Sequence, residues 1–209
     1  MAVDLLRYAQ EAAYCERILA KSGLTVVTAT LAQSATPTHW THYPEGDVYD
    51  FESGAHWYYH SHAPAEAAQH QASDAAQSEG SKSSEHGHFH CFVRPDGKGG
   101  PVHHLIAVSV DSMGRLTRLF TVARHVVDDA DISAEGRVAL LERFDVQLDY
   151  PNYLVNRWLT AVVGLYQDEI AALIREGAER AVRDPKLDVT AQLETTLAQK
   201  VSRAPRAEC

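Results

Sequence analysis

The sequence predicts an α+β protein: an N-terminal helix, then an antiparallel β-sheet of four or more strands, then C-terminal helices packed on that sheet. Three observations support this prediction. Apolar residues recur at helical spacing near the N-terminus, β-branched and aromatic segments dominate the middle, and a long amphipathic pattern follows Pro151. At 209 residues the chain can bury a core within a single domain, 1–209.

The first element is predicted to be a helix over residues 1–22. Its apolar residues lie three and four positions apart: Leu5, Leu6, Ala9, Ala12, Ala13, Ile18 and Leu19. Gly23 is a suitable helix terminator. The β-branched segment 24–31 then predicts a strand, and the polar residues around Pro37, Pro44 and Gly46 predict a loop.

Residues 24–128 are predicted to form a β-rich metal-binding region. Its aromatic and histidine-rich segments HWYYHSH (56–62) and EHGHFH (85–90) have strand character. Residues 65–84 lack large apolar side chains and predict a flexible loop, or at most a frayed helix. HLIAVSV and LTRLFTVARHVV predict a hairpin around DSMGR, with Gly114 at a position that needs positive φ.

Residues 132–201 are predicted to be helical. Ser133 is a plausible cap for a short helix, and Pro151 is expected to open a long helix that ends at Asp184 and Pro185. A final helix is expected from about Val189 to Val201, followed by a loose tail, 202–209.

Composition excludes several functional classes. The net charge is −9, and lysines and arginines form no block that could follow a phosphate backbone, so we expect no nucleic-acid partner. No apolar run of about 18 residues occurs, so we expect no membrane span. The chain has an odd number of cysteines at wide, irregular spacing: Cys15, Cys91 and Cys209. The N-terminus also lacks the features of a signal peptide. Both observations favour a cytoplasmic location.

The unusual feature of the composition is histidine. All twelve histidines lie between His39 and His125, although an even distribution would put about five of them in residues 126–209. This confinement indicates a site. Surface enrichment or a metal-free pocket lined by histidines is the alternative.

Strand geometry converts the histidine motifs into faces, because residues two apart on a strand point the same way. One strand would place His86, His88 and His90 opposite Phe89 and Cys91. The other would place a second set on one face, opposite Trp57 and Tyr59: His56, Tyr58, His60 and His62.

If these strands pair with their histidine faces aligned, four imidazoles come within reach of one ion. The predicted ligands are His60, His62, His88 and His90, with His56 and His86 as further candidates. Imidazole suits iron, copper and zinc, and Glu85 could complete or orient the set.

The remaining histidines are weaker candidates. His104 is a reserve ligand, and since it is adjacent to His103 only one of the two can join a given face. Arg124 and His125 could bind an anion, although a surface pair is the ordinary explanation. The acidic aromatic segment 39–50 could be a lid or a solvated loop, and His70 is expected to be incidental.

Three segments together resemble an uncharacterised bacterial domain family of unknown function: HYPEGDVYDFESGAHWYYHSH, EHGHFHCFVR and HLIAVSVDSMGRLTRLFTVARHV, within residues ~40–165. The resemblance implies no activity. The HxH strand is also partly similar to the first half of a cupin signature. The Glu and Gly that follow in cupins are missing, because Cys91, Phe92, Val93, Arg94 and Pro95 come after His90.

These observations lead to a functional hypothesis: a mononuclear metalloenzyme that uses iron or copper for oxidative chemistry on a small molecule. Tyr58 and Glu85 are the candidate catalytic residues. A non-catalytic metal carrier, store or sensor is one alternative. Non-covalent haem, walled by Trp57, Tyr58, Tyr59 and Phe89, is another. Zinc-assisted hydrolysis is a further possibility, for which Glu85 is the only obvious carboxylate base beside the histidine motifs. The sequence leaves the oligomeric state open.

Overall fold

The computed structural model describes residues 2–32, 41–62, 85–127 and 129–203. Two helices come first, α1 (Ala2–Lys21) and α2 (Val26–Leu31). Five strands follow: β1 (His42–Tyr49), β2 (Ala55–Ser61), β3 (Glu85–Val93), β4 (His103–Asp111) and β5 (Leu116–Val122). The remaining elements are α3 (Arg124–Val127), α4 (Ala134–Ala139), a 3-10 turn (Leu141–Arg143), α5 (Tyr153–Leu165), α6 (Gln167–Arg183), β6 (Val189–Glu194) and α7 (Leu197–Arg203).

In the described part of the chain the strands form one antiparallel sheet in the order β1-β2-β3-β4-β5-β6. The α+β prediction is therefore confirmed. One face of the sheet packs against helices: the Phe89 ring lies 6.0 Å from that of Trp158 on α5, and Trp57 Nε1 donates to Asn156 Oδ1 at 2.9 Å. We call this the core face, and the opposite one the histidine face.

Several local predictions are confirmed. Helix α1 ends just before Gly23, which has a φ of 70°, and Gly114 turns the β4–β5 hairpin with a φ of 72°. The Ser133 side chain caps α4 by accepting a hydrogen bond from the Gly136 amide at 3.0 Å. Cys91 is buried on the core face, as expected from its alternation with the histidines. Among the described helices, none is both long and apolar enough to cross a membrane.

The predicted strand over residues 24–31 is wrong, because α2 occupies this segment. Thr25 and Thr28 form a reciprocal capping box, in which each side chain accepts a hydrogen bond from the other's backbone amide. Val26 and Val27 are buried in the core. Helix capping and tertiary burial therefore override the β preference of the branched residues.

The predicted loop around Pro44 and Gly46 is also wrong, and so is the lid or solvated loop that was expected at 39–50. Residues 42–49 form edge strand β1, in which Tyr43 and Val48 are buried. Pro44 is tolerated because an edge strand needs hydrogen bonds on one side only. Asp47, with a φ of 57°, lies at an irregularity in the pairing of β1 with β2.

Three boundaries in the C-terminal half differ from prediction. The expected long helix is two helices broken at Tyr166, whose hydroxyl donates to the Thr196 carbonyl. The expected helix from Val189 to Val201 contains β6, which pairs with β5 and is held there by the Thr121–Thr190 hydroxyl contact. The second hairpin strand, predicted over LTRLFTVARHVV, ends at Val122, and α3 begins at Arg124. The first two changes depend on contacts with residues distant in sequence.

Other predictions fall largely outside the described residues. These are the loop at 65–84 with His70, the candidate His39, and the tail at 202–209 apart from its first two residues, which belong to α7.

Gly87 offers a test of how closely β2 and β3 approach. An alanine Cβ at this position would overlap the His60 carbonyl oxygen and the Tyr59 hydroxyl. Because the carbonyl belongs to the paired strand and cannot rotate away, we expect G87A to reduce the free energy of unfolding by about 3 kcal/mol, measured by urea denaturation. G99A is the matched control, since nothing lies within 4 Å of the added methyl group there. Equal stability of the two variants would contradict the described β2–β3 packing.

Candidate metal centre

The pairing of β2 with β3 brings the two histidine motifs together. His60 is opposite His88, and Tyr58 is opposite His90. The ring centroids of His88 and His90 are 4.6 Å apart, and the His60 ring lies 5.8 Å from His88 and 5.5 Å from His90. One ligand nitrogen from each of the three lies within 4.8 Å of the others. These residues are therefore a group that could bind a metal ion, which we call the three-histidine group.

The three-histidine group is shielded from solvent. His90 is 3% exposed, His88 is 9% exposed, and His60 is partly buried. Burial lowers the pKa of His90 well below its usual range, and the neighbouring histidines lower it further. His90 is therefore neutral at physiological pH, and the neutral imidazole is the form that ligates metals.

Strand β4 adds His104, the reserve candidate. Its Nε2 lies 3.1 Å from His90 Nδ1, and one of the two rings donates to the other. A register irregularity opposite Cys91 and Phe92 sets which β4 side chains face this site. Burial, with a smaller effect from Arg137, lowers the pKa of His104 to about 3. The adjacent His103 instead has its Nδ1 3.7 Å from Asp129 Oδ1.

A bulge at the start of β3 changes which residues face the site. Between Glu85 and Gly87 the strand advances two residues while β4 advances only from Asp111 to Val110. His86 consequently turns to the core face, where its Nδ1 lies 2.7 Å from the Tyr59 hydroxyl. The expectation that His86 shares a face with His88 and His90 is wrong, because the extra residue inverts the alternation.

The same bulge places Glu85 on the histidine face. Its Oε1 accepts a hydrogen bond from His88 Nδ1 at 3.0 Å and lies 3.6 Å from His62 Nδ1, while its Oε2 accepts from Arg118 at 2.8 Å. Burial alone would raise the pKa of Glu85, but the hydrogen bond and charge of His88, with Arg118 and His62, lower it to about 2. Glu85 is thus a carboxylate that fixes the proton of His88 on Nδ1 and leaves Nε2 facing His90.

His62 lies against His88, with ring centroids 4.8 Å apart. Together with Glu85 and His88 it forms a second group of ligand atoms that all lie within 4.8 Å of one another. The second group shares His88 with the three-histidine group.

The predicted ligand His56 has a different partner. Its Nε2 lies 3.0 Å from Asp47 Oδ2, and the other carboxylate oxygen lies 3.0 Å from Nδ1 of His42, a residue of β1. Burial alone would raise the pKa of Asp47, but its hydrogen bonds with the two histidines lower it to about 2. The structure thus ties His56 to a carboxylate and does not include it in either group of ligand atoms.

Tyr58 lies beside the three-histidine group. Its ring stacks on His42 with centroids 3.6 Å apart and lies 5.1 Å from both His60 and His90. Burial raises the pKa of Tyr58, and the negative charge of Asp47 raises it further. The phenol is therefore protonated at physiological pH.

The aromatic residues invoked for a haem site lie on opposite sides of the sheet. Trp57, Tyr59 and Phe89 belong to the core face, whereas Tyr58 lies among the histidines. These four residues cannot wall one porphyrin. Arg124 and His125 form surface pairs with Asp131 and Asp188, as the ordinary explanation predicted.

Sequence reasoning missed Asp47 and Arg118, and it placed His104, whose Nε2 lies 3.1 Å from His90 Nδ1, only in reserve. His104 carried a signal, since a histidine on a neighbouring strand had to face one side of the sheet or the other. Asp47 and Arg118 carried no such signal. The contacts of Asp47 with His56 and of Arg118 with Glu85 join different strands, and tertiary structure sets how those strands are arranged.

A family model described as a domain of unknown function, DUF6969, matches residues 6–195. No curated protein and no solved structure matches the chain.

The neutral histidines predict acid sensitivity of the metal-free protein. In the unfolded chain His90 and His104 would titrate near pH 6.5, whereas their folded pKa values are lower. Below about pH 6.5 the unfolded state binds more protons. The free energy of unfolding should therefore fall with decreasing pH, by up to about 1.4 kcal/mol per pH unit for each residue.

Urea unfolding between about pH 7.5 and pH 5.5 measures this slope. H125A is the control and should retain it, because His125 is exposed and pairs only at the surface. Stability that does not change over this range would contradict the buried neutral state.

Proposed function

The chain belongs to the DUF6969 family, a domain of unknown function, and we propose that it binds a transition-metal ion through His60, His88 and His90. The observation that carries the proposal is the meeting of His88 Nε2 and His90 Nε2 at 3.0 Å, beside His60. Two nitrogen ligands of a tetrahedral ion with bonds of about 2.0–2.1 Å are about 3.3 Å apart, so small shifts would admit the ion.

The partners of the three-histidine group support this proposal. A metal-ligating histidine usually donates its second ring N–H to a carboxylate or another acceptor, which fixes its orientation. Glu85 accepts from His88 Nδ1, and His104 Nε2 lies within hydrogen-bond distance of His90 Nδ1. With its proton on Nδ1, His90 donates to His104 and presents Nε2 to the ion. Glu85 and His104 thus orient His88 and His90 through the ring nitrogens that do not bind the ion.

We propose further that the protein is a metalloenzyme in which the ion bound by His60, His88 and His90 acts on a small molecule. Three protein ligands are typical of catalytic sites, because they leave a coordination position for water or substrate. Bound iron or copper would supply redox chemistry at that position. The protonated Tyr58, whose ring lies 5.1 Å from those of His60 and His90, is a proton donor beside these ligands.

Hydrolysis with zinc fits the site less well. In many zinc hydrolases a carboxylate side chain is the general base that activates the metal-bound water. Glu85 is already bonded to His88 and Arg118, and Asp47 to His42 and His56. Oxidative chemistry with iron or copper does not depend on a carboxylate general base. Turnover of a small molecule with the ion retained would distinguish an enzyme from a metal carrier.

The proposed site predicts the metal content of the purified protein. Protein purified without an affinity tag should contain iron or copper by elemental analysis and should lack a Soret band. H88A/H90A should lose the metal, because two of the three ligands are gone. H125A is the control and should retain it, since His125 pairs with Asp188 at the surface.

Circular dichroism should show the same secondary structure in all three proteins, because His88 and His90 point away from the core face to which Phe89 and Cys91 belong. H60A provides a second test with a partly exposed ligand. Full metal retention in both ligand variants would refute the proposed site.

The second prediction concerns the residue behind His90. H104F removes the nitrogen that His90 Nδ1 contacts while preserving a buried ring. Loss of such an outer partner typically weakens metal binding by about 10–100-fold, and we expect a weakening in this range. Competition with a chromophoric chelator measures the affinity. An affinity equal to that of the wild type would show that His104 does not orient a ligand.

A further inference from the structure

His88 has a different set of neighbours at each ring nitrogen. Its Nε2 lies 3.0 Å from His90 Nε2, and its Nδ1 lies 3.0 Å from Glu85 Oε1. The two nitrogens of an imidazole point to opposite edges of the ring. The three-histidine group and the second group therefore lie on opposite sides of His88, and neither one blocks the other.

The second group has the spacing of a coordination site. Glu85 Oε1 lies 3.0 Å from His88 Nδ1 and 3.6 Å from His62 Nδ1. These separations bracket the value of about 3.3 Å expected between two ligands of a tetrahedral ion with bonds near 2.0–2.1 Å. The side chains of all three residues are at most 17% exposed.

The other oxygen of Glu85 is held from behind. Arg118 donates to Oε2 at 2.8 Å, and its second terminal nitrogen donates to Gln192 Oε1 at 2.7 Å. A ligating carboxylate is usually fixed by such a partner. Arg118 thereby keeps Oε1 directed at the gap between His62 and His88.

We propose that His62, Glu85 and His88 bind a second transition-metal ion, and that His88 bridges the two ions as an imidazolate. This inference rests on the proposed three-histidine site. In the singly loaded protein a proton occupies His88 Nδ1 and is shared with Glu85. The second ion replaces that proton, which passes to solvent, so that Nδ1 and Nε2 each bind one ion.

Electrostatics determines the order in which the sites fill. Two dications separated by one imidazolate, about 6 Å when each bond is near 2 Å, repel one another, and Arg118 adds a further positive charge. The negative charges of Glu85 and of the imidazolate offset this repulsion. The second ion therefore binds more weakly than the first.

The test uses the full metal-free chain without an affinity tag, titrated with Zn²⁺ by calorimetry and checked by elemental analysis. Wild type should bind two ions with different affinities. H62A and E85Q should each bind one, because Gln can still accept the His88 Nδ1–H but does not supply the charged ligand. H88A should lose both, and H125A, whose histidine lies at the surface, should match wild type.

Cu²⁺ titration followed by electron paramagnetic resonance tests the bridge itself. The first equivalent should give an isolated Cu²⁺ signal, and the second should attenuate it through exchange coupling across the imidazolate. In E85Q the isolated signal should persist.

The outcomes separate the two proposals. One ion in wild type that is lost in H88A/H90A would overturn the second site and leave the first standing. Two ions in H62A and E85Q, or two uncoupled Cu²⁺ signals, would likewise overturn the bridge. No bound ion in wild type would overturn both proposals.

Discussion

The antiparallel pairing of β2 with β3 is the constraint on which the rest of the site depends. Because side chains alternate along a strand, this register places His60 beside His88 and Tyr58 beside His90 on one face. The same register places Trp57 and Tyr59 against Phe89 on the other. A slip of one residue would exchange the two faces and bury imidazoles in the apolar core. The core therefore enforces the geometry of the candidate metal centre.

Bulges then adjust the composition of the histidine face. The extra residue at the start of β3 exchanges His86 for Glu85, and the irregularity between β3 and β4 accompanies the approach of His104 to His90. Without the β3 bulge, His86 would face the site in place of Glu85. The bulged sheet surrounds a few histidines with groups that orient them, which is what selective metal binding requires.

Burial and hydrogen bonding together set the charge of the histidines and of the carboxylates on this face. Burial keeps His90 and His104 neutral, so their nitrogens are available as ligands or acceptors. Glu85 and Asp47 remain ionised in spite of burial because each is hydrogen-bonded to histidine. The face thus combines neutral donors with fixed negative charge, an arrangement that favours a cation over an anionic ligand.

The sequence by itself determined the fold class, the two histidine strands and the separation of His60, His88 and His90 from the aromatic core. These follow from the two-residue period of a strand, which is local and readable in HWYYHSH and EHGHFH. Only the tertiary structure decided that His86 turns away, that His56 is bound by Asp47, and that Arg118 holds Glu85. It also decided that residues 26–31 form a helix and 189–194 a strand. Each of these outcomes depends on a bulge, a cap or a partner on another strand. A local sequence pattern does not predict which strands will pair.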